Sequence, residues 1–459
     1  MARLARRLYA YAFLEDLILL YPVYALLFAE HGLSAGEISS LFIIWSCVTF
    51  VLEVPSGMWA DLFSRRLLLV LAPLLTGAGF ALWTWLPSYP AFAGGFLLWG
   101  AGGSLCSGSL QALVYEELAR HEATGSYARI MGRSQALGTT AMMAATALAG
   151  PVLGAGGYEA VGAASVVVCL FGAAVGRTFP ESRGTLARSR RNGDGGDRAG
   201  GDRDAERGET ESGPGDPGLG TVLRAGVAEL RASRAALRAV LLSSAVTGAL
   251  MIDEYVPLLV RSMDVAESTV PTLMLLVSAG VAVGGWCAGR GTPRLLGPAL
   301  AVAALALAAG SVSGPAGTPL LALAFGIFQW AMVTCDALLQ DRVTDRARAT
   351  VSSMAGFGAE VFSVLLCAGY GLGSAWWGHS TLFVAAAAPY LLIALVLLRY
   401  GRRTGASEEP GEQPSGQEPS SEGLEPSTEE QGPSSEGQAP STEKDAGEGA
   451  PKRGGSARR

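Results

Sequence analysis

The chain has 459 residues, of which 50% are hydrophobic, 16% charged and 8% aromatic, with a formal net charge of −6. That length would accommodate two or three soluble domains, but much of the charge falls in two stretches, 181–238 and 399–459, so the remainder is too apolar for water-facing surfaces. What is left is a set of apolar runs of about 20 residues, the length an α-helix needs to cross a bilayer.

Twelve such runs follow one another near 8–29, 36–58, 67–86, 91–118, 130–154, 157–179, 237–260, 268–288, 295–312, 318–339, 350–372 and 375–398. The start, Met-Ala-Arg-Leu-Ala-Arg-Arg before an apolar stretch, is read as a retained first helix rather than a cleaved signal, because the run contains Glu15 and Asp16 and lacks a small-residue cleavage site. Arginines cluster in alternate connections. Arg3, Arg6 and Arg7 precede the first span, Arg65 and Arg66 follow the second, and Arg120 and Arg129 follow the fourth. The long link after the sixth is Arg-rich; Arg290 and Arg294 follow the eighth, and Arg342, Arg346 and Arg348 the tenth, with Arg261 as the exception on the other side. By the positive-inside rule this sets a multi-pass protein of the cytoplasmic membrane with both termini in the cytoplasm.

The six cysteines fall inside predicted spans with no ligand spacing, which suggests small buried hydrophobes rather than a disulfide framework or a metal site. The three histidines form no cluster. No cofactor and no nucleic-acid partner are expected. Four regions result: a six-helix bundle at 1–180, a mostly flexible linker at 181–236, a second six-helix bundle at 237–400, and a disordered acidic tail at 401–459. A short amphipathic helix is expected within the linker, around 223–237.

The connection between the second and third spans reads Gly57-Met58-Trp59-Ala60-Asp61-Leu62-Phe63-Ser64-Arg65-Arg66. Gly57, Asp61, Arg65 and Arg66 resemble motif A of the major facilitator superfamily, with Leu62 and Ser64 standing where the motif has Arg and Gly. The preceding Glu53-Val54-Pro55-Ser56 is similar to the variant of one branch of that superfamily, and so is Tyr115-Glu116-Glu117-Leu118 at the end of the fourth span. Gly150-Pro151-Val152-Leu153-Gly154 partly resembles motif C of proton-coupled drug exporters, although Phe96 stands where motif B would place an Arg. A Gly-Pro pair also bends or ends a helix by itself. The two halves echo one another: Gly285-Trp286-Cys287-Ala288-Gly289 with Arg294 matches Gly57 to Arg66, and Asp336-Ala337-Leu338 with Asp341 matches Gln111-Ala112-Leu113 with Glu116. The resemblance implies an all-α membrane fold of twelve transmembrane helices in two six-helix pseudo-repeats, with a substrate site between them near the midplane.

Charge at the centre of a span costs at least about 2.5–3.5 kcal/mol, so it faces protein or a watery cavity. Glu15 and Asp16 in the first span and Asp253 and Glu254 in the seventh are therefore the leading candidates for proton or substrate binding, followed by Asp336 and Glu360. One member of each adjacent pair is expected to line a cavity, since neighbours on a helix point about 100° apart. Tyr21, Tyr24 and Tyr255 are placed to hydrogen-bond or to stack on a cation. Glu53, Glu116 and Arg120 read as secondary gating residues. The implied function is a monomeric secondary transporter moving a small molecule by alternating access, an exporter coupled to inward proton flow. Uptake by symport or uniport, and a transporter-like receptor or scaffold acting through its tail, are the alternatives. No metal or nucleophile constellation points to an enzyme.

Overall fold

In lipid a backbone must satisfy its own polar groups, and for apolar runs of this length the helix does so. A computed structural model of the protein describes residues 2–62, 64–180, 234–288, 292–341 and 348–405, so most of the expected linker, its amphipathic helix and nearly all of the tail lie outside the described residues. Every regular element among the described residues is helical. Span 1 is α1 (Ala2–Asp16) and α2 (Tyr24–Glu30); spans 2 to 4 are α3 (Ala35–Leu62), α4 (Arg65–Trp85) and α5 (Tyr89–Arg120). Spans 5 and 6 are the two parts of α6 (Tyr127–Gly176), divided at Gly157, whose φ of 64° suits glycine. Span 7 is α7 (Arg234–Ala249), a 3₁₀ turn (Leu250–Tyr255) and α8 (Val256–Arg261). Spans 8 to 12 are α9 (Val270–Trp286), α10 (Leu296–Val312), α11 (Thr318–Gln340), α12 (Arg348–Gly373) and α13 (His379–Gly405).

Among the described residues, eight helices are long and apolar enough to cross a membrane by length and composition, and one of them, 48 residues long, carries both spans 5 and 6. The other three spans of the twelve depart from that standard for physical reasons. Span 1 is broken, span 9 is a shorter apolar helix, and span 4 is rich in Gly and Ser because it packs closely on span 3. A Cβ on Gly102 would come within 2.7 Å of the Ala72 carbonyl oxygen. Small residues of this kind let membrane helices approach.

Both breaks precede a proline. Pro22 and Pro257 cannot donate to the helical ladder, and their rings crowd the carbonyls of Ile18 and Asp253. In span 1 the freed Leu20 N–H donates to the Ser165 hydroxyl of span 6 at 3.1 Å. In span 7 the chain tightens into the 3₁₀ turn and restarts with Pro257 in the first turn of α8.

The helix pairings repeat in the two halves. Span 3 packs on spans 4 and 6 as span 9 packs on spans 10 and 12, and span 2 meets span 4 as span 8 meets span 10. Span 1 lies along span 5, with Asp16 against Gly138, as span 7 lies along span 11. Between the halves, span 2 pairs with span 11 and span 5 with span 8, which are equivalent contacts under the same repeat.

The end of the bundle bearing the connections after spans 1, 3, 5, 7, 9 and 11 is called the outer end here, following the arginine pattern. There the halves are joined. Tyr255 donates to the Ser39 hydroxyl at 2.8 Å, Phe42 meets the Tyr255 ring edge-on at 5.2 Å, and Tyr158 donates to Glu267 at 3.4 Å. Glu267 also pairs with Arg261 at 2.7 Å. Behind them Phe28, Phe42, Trp83, Phe92 and Phe96 form a fully buried aromatic plug. Among the described residues, the innermost ring contact between the halves is Phe50 with Phe357, 5.1 Å apart.

Candidate functional site

The 3₁₀ turn of span 7 sits on the seam between the halves, with open space on both sides of it. One cavity, of about 280 Å3, is lined by Tyr21, Trp45, Trp99, Asp253, Glu254 and Phe325 among others. A second, of about 350 Å3, lies toward the inner end and is lined by Ser46, Asp253, Glu254, Gln329, Glu360 and neighbours. The two share Trp45, Asp253, Glu254, Val281 and Phe325, so they adjoin across the turn. Both carboxylates of the span 7 pair therefore face the cavity, where one was expected. The reason is the tightened turn: about three residues per turn and space on either flank present both side chains.

The carboxylates are held across the seam. Tyr24 of span 1 donates to the Glu254 carboxylate, and Ser46 of span 2 donates to that of Glu360 in span 11. Each bond joins one half to the other. Three partly exposed rings stand opposite: Trp99 stacks on Trp45 at 4.9 Å and on Tyr21 at 5.2 Å.

Glu15 and Asp16 are not the equivalents of Asp253 and Glu254, although both pairs belong to the first span of a half. Asp16 lies six residues before Pro22, whereas Asp253 lies four before Pro257. At 1.5 Å rise per residue, the span 1 pair sits about 3 Å, or roughly half a turn, deeper toward the inner end. Glu15 lines a separate pocket of about 60 Å3 inside the first half, with Tyr11, Tyr21, Thr76, Trp99 and Cys106. Tyr21 and Trp99 border that pocket and the seam cavity alike. Asp336 is exposed on span 10, close to its inner end, and is not among the residues that line either cavity.

At the inner end, Glu53, Gly57 and Asp61 belong to the helical part of α3, but their side chains lie outside the described residues. Arg65, which opens α4, pairs with Glu116 of span 4 at 2.5 Å, and Arg66 beside it is partly buried. Arg120 pairs with the neighbouring Glu117 at 3.3 Å. In α6, Gly150, Pro151 and Gly154 remain helical; the break comes at Gly157. Gly150 instead permits a close approach between halves, since a Cβ there would meet the Ser268 carbonyl oxygen at 2.8 Å.

The sequence signature of the Major Facilitator Superfamily matches residues 11–359. The chain belongs to that superfamily. No curated relative matches the sequence. Among solved structures, a mutant form of the nucleoside transporter NupG superposes with a TM-score of 0.67 at 12% identity, over 86% of this chain and 99% of that one. A D-xylose-proton symporter gives 0.61 at 15% identity, over 86% and 96%. A bacterial homologue of the human lysosomal transporter Spinster, in an inward-facing and unoccupied conformation, gives 0.57 at 15%, over 90% and 99%. At these identities the likeness establishes the major facilitator fold, and the protein is a membrane transporter of that superfamily, whose members are transporters rather than enzymes.

Within this superfamily member, sequence reasoning passed over Trp45, Trp99, Ser46 and Gln329. A signal was present for the tryptophans. Membrane tryptophans favour the two interfaces, whereas Trp45 and Trp99 stand eleven residues into span 2 and span 4. The cysteines also divide: Cys106, Cys169, Cys335 and Cys367 are buried as expected, but Cys47 and Cys287 are exposed.

Proposed function

We propose that the protein is a proton-coupled exporter that carries a small molecule across the cytoplasmic membrane by alternating access. The observation that carries this reading is the placement of Asp253, Glu254 and Glu360 on the seam, in cavities that lie inward of a joined outer end. A carboxylate on the moving interface changes charge when protonated, and so changes which arrangement of the halves is favoured. Tyr24–Glu254 and Ser46–Glu360 are the bonds through which that change would reach both halves. Motif A residues Gly57, Asp61, Arg65 and Arg66 act in this scheme as an inner gate, with Glu53, Glu116 and Arg120 supporting it. Glu15 and Asp16 serve as proton sites, and Asp336 as a weaker one. The protein works as a monomer with both termini cytoplasmic.

Import by symport is the second reading, favoured by the likeness to a D-xylose-proton symporter. A receptor or scaffold is the third, and deleting the tail separates it, because transport should survive that loss. The deciding experiment measures a substrate panel in inverted and right-side-out vesicles, with and without a pH gradient. Accumulation in inverted vesicles driven by an acidic lumen supports export. Gradient-driven uptake only in right-side-out vesicles would replace export with symport.

A further inference from the structure

The seam cavity is chemically one-sided. Its lining includes three carboxylates, those of Asp253, Glu254 and Glu360, and no Lys, Arg or His among the described residues. The pairs Arg65–Glu116, Glu117–Arg120, Glu117–His121 and Arg261–Glu267 all lie at helix ends. Sequence supplies no cation from elsewhere in the membrane: the two lysines are Lys444 and Lys452, and the arginines sit at span ends or in connections. An anionic cargo would meet negative charge with nothing to answer it, whereas a cationic cargo would find its charge answered.

The rest of the lining decides what kind of cation fits. A hard metal ion asks for six or more oxygens converging on a point, and no group of three or more His, Cys, Asp or Glu among the described residues is close enough to hold one. Instead the carboxylates face ring surfaces. Tyr21, Trp99 and Trp45 form a continuous stack, with Phe325 on the wall shared by both cavities. Aromatic faces carry negative quadrupole density and attract cations, most strongly for Trp. Met142, Met274 and Met332 complete an adaptable apolar surface. We infer that the cargo of this cavity is an organic monocation with a flat aromatic or quaternary-ammonium group, its charge toward Asp253 and its face against Trp45, the end of the stack that lines both cavities and is backed by Trp99. The inference rests on the transporter reading above and adds the chemical class to it.

Two dyes on one tricyclic frame test it: rhodamine 123, a planar cation, and fluorescein, an anion. Each is titrated by fluorescence polarisation against the full chain in detergent, beside Asp253→Asn, Trp45→Phe and Trp45→Leu proteins that keep the wild-type gel-filtration profile. The expected result is saturable binding of rhodamine 123 and none of fluorescein. Asp253→Asn should weaken it by about tenfold or more, and Trp45→Leu should cost more than Trp45→Phe. Equal binding of the two dyes, tighter fluorescein binding, or unchanged rhodamine 123 affinity in Asp253→Asn would overturn the inference. Spin-label distances across the two ends of the bundle, taken on the same preparation, separate the two levels. If neither dye binds while the ends still move, the cation class is wrong and alternating access stands. If rhodamine 123 binds as expected while the ends never move, the cation site stands and the transport cycle does not.

Discussion

Tyr24 in span 1 donates its hydroxyl hydrogen to the carboxylate of Glu254 in span 7, 230 residues away in sequence. The bond joins the first residue of the restarted helix of span 1 to the 3₁₀ turn that interrupts span 7, at the junction between the cavity and the aromatic plug. Phe42, Trp83 and Phe96 pack edge-on or tilted around the Tyr24 ring, with centroids about 6 Å away. A hydrogen bond contributes about 0.5–1.5 kcal/mol net, and about 1.5–3 kcal/mol when its acceptor is ionised, enough to bias which end of the bundle is shut.

Tyr24→Phe removes that hydroxyl and keeps the ring. The outer end should then open more often, and a cysteine at Ser39 should react faster with a membrane-impermeant maleimide from outside. A reaction rate equal to that in the Tyr24 protein would mean the bond does not hold the outer end.

The carboxylates should divide by location. Asp253→Asn, Glu254→Gln and Glu360→Gln alter the cavity itself and should lower both gradient-driven transport and substrate exchange without a gradient. Glu15→Gln alters a pocket behind the Tyr21–Trp99 wall, so it should abolish gradient-driven transport while exchange survives; Asp16→Asn is expected to follow it. If Glu15→Gln keeps wild-type gradient-driven transport and pH dependence, Glu15 is structural and coupling belongs to the seam residues alone.

Arg65 and Glu116 tie the start of span 3 to the end of span 4, with side chains 15% and 28% exposed. Partial solvation limits such a pair to about 1 kcal/mol. Glu116→Gln should therefore lower Tm by only a few degrees, whereas Asp61→Asn, in the motif A connection, should impair turnover while expression and ligand binding stay near normal. Normal turnover in Asp61→Asn would reduce that connection to a topology signal.

Spans 8 and 10 touch backbone to backbone, Gly284 on the Gly326 carbonyl and Gly280 on that of Ala322. Gly284→Val has no room without displacing a helix, and overpacking of this kind costs about 1–3 kcal/mol. A clear drop in thermal stability is expected, with Gly285→Ala, whose Cβ would find its nearest neighbour at 3.7 Å, as the tolerated control. Equal stability of the two variants would contradict the packing described for spans 8 and 10.

The twelve spans were legible because bilayer crossing demands long apolar runs and the arginines mark alternate ends. The breaks in spans 1 and 7 were also written in Pro22 and Pro257, but hydropathy averages over them. The site was half legible. A carboxylate pair in each first span drew the eye, yet adjacency in sequence does not fix depth, and the two-residue difference in distance to proline puts Glu15 in a pocket of its own and Asp253 on the seam. Contacts that join distant spans, such as Ser46 with Glu360 and Arg65 with Glu116, leave no local pattern to read. Trp45 and Trp99 do leave one, a tryptophan far from either interface.

Opposed motion of the two ends is the central claim, and paired spin-label distances test it most directly. In a background lacking the six native cysteines, Glu159→Cys with Asp264→Cys reports the outer end, and His121→Cys with Asp341→Cys the inner. The outer pair should be short in the resting protein, and acidification or added substrate should lengthen it while the inner pair shortens. Distances that stay fixed at both ends under every condition, or that lengthen together, would contradict alternating access in this protein.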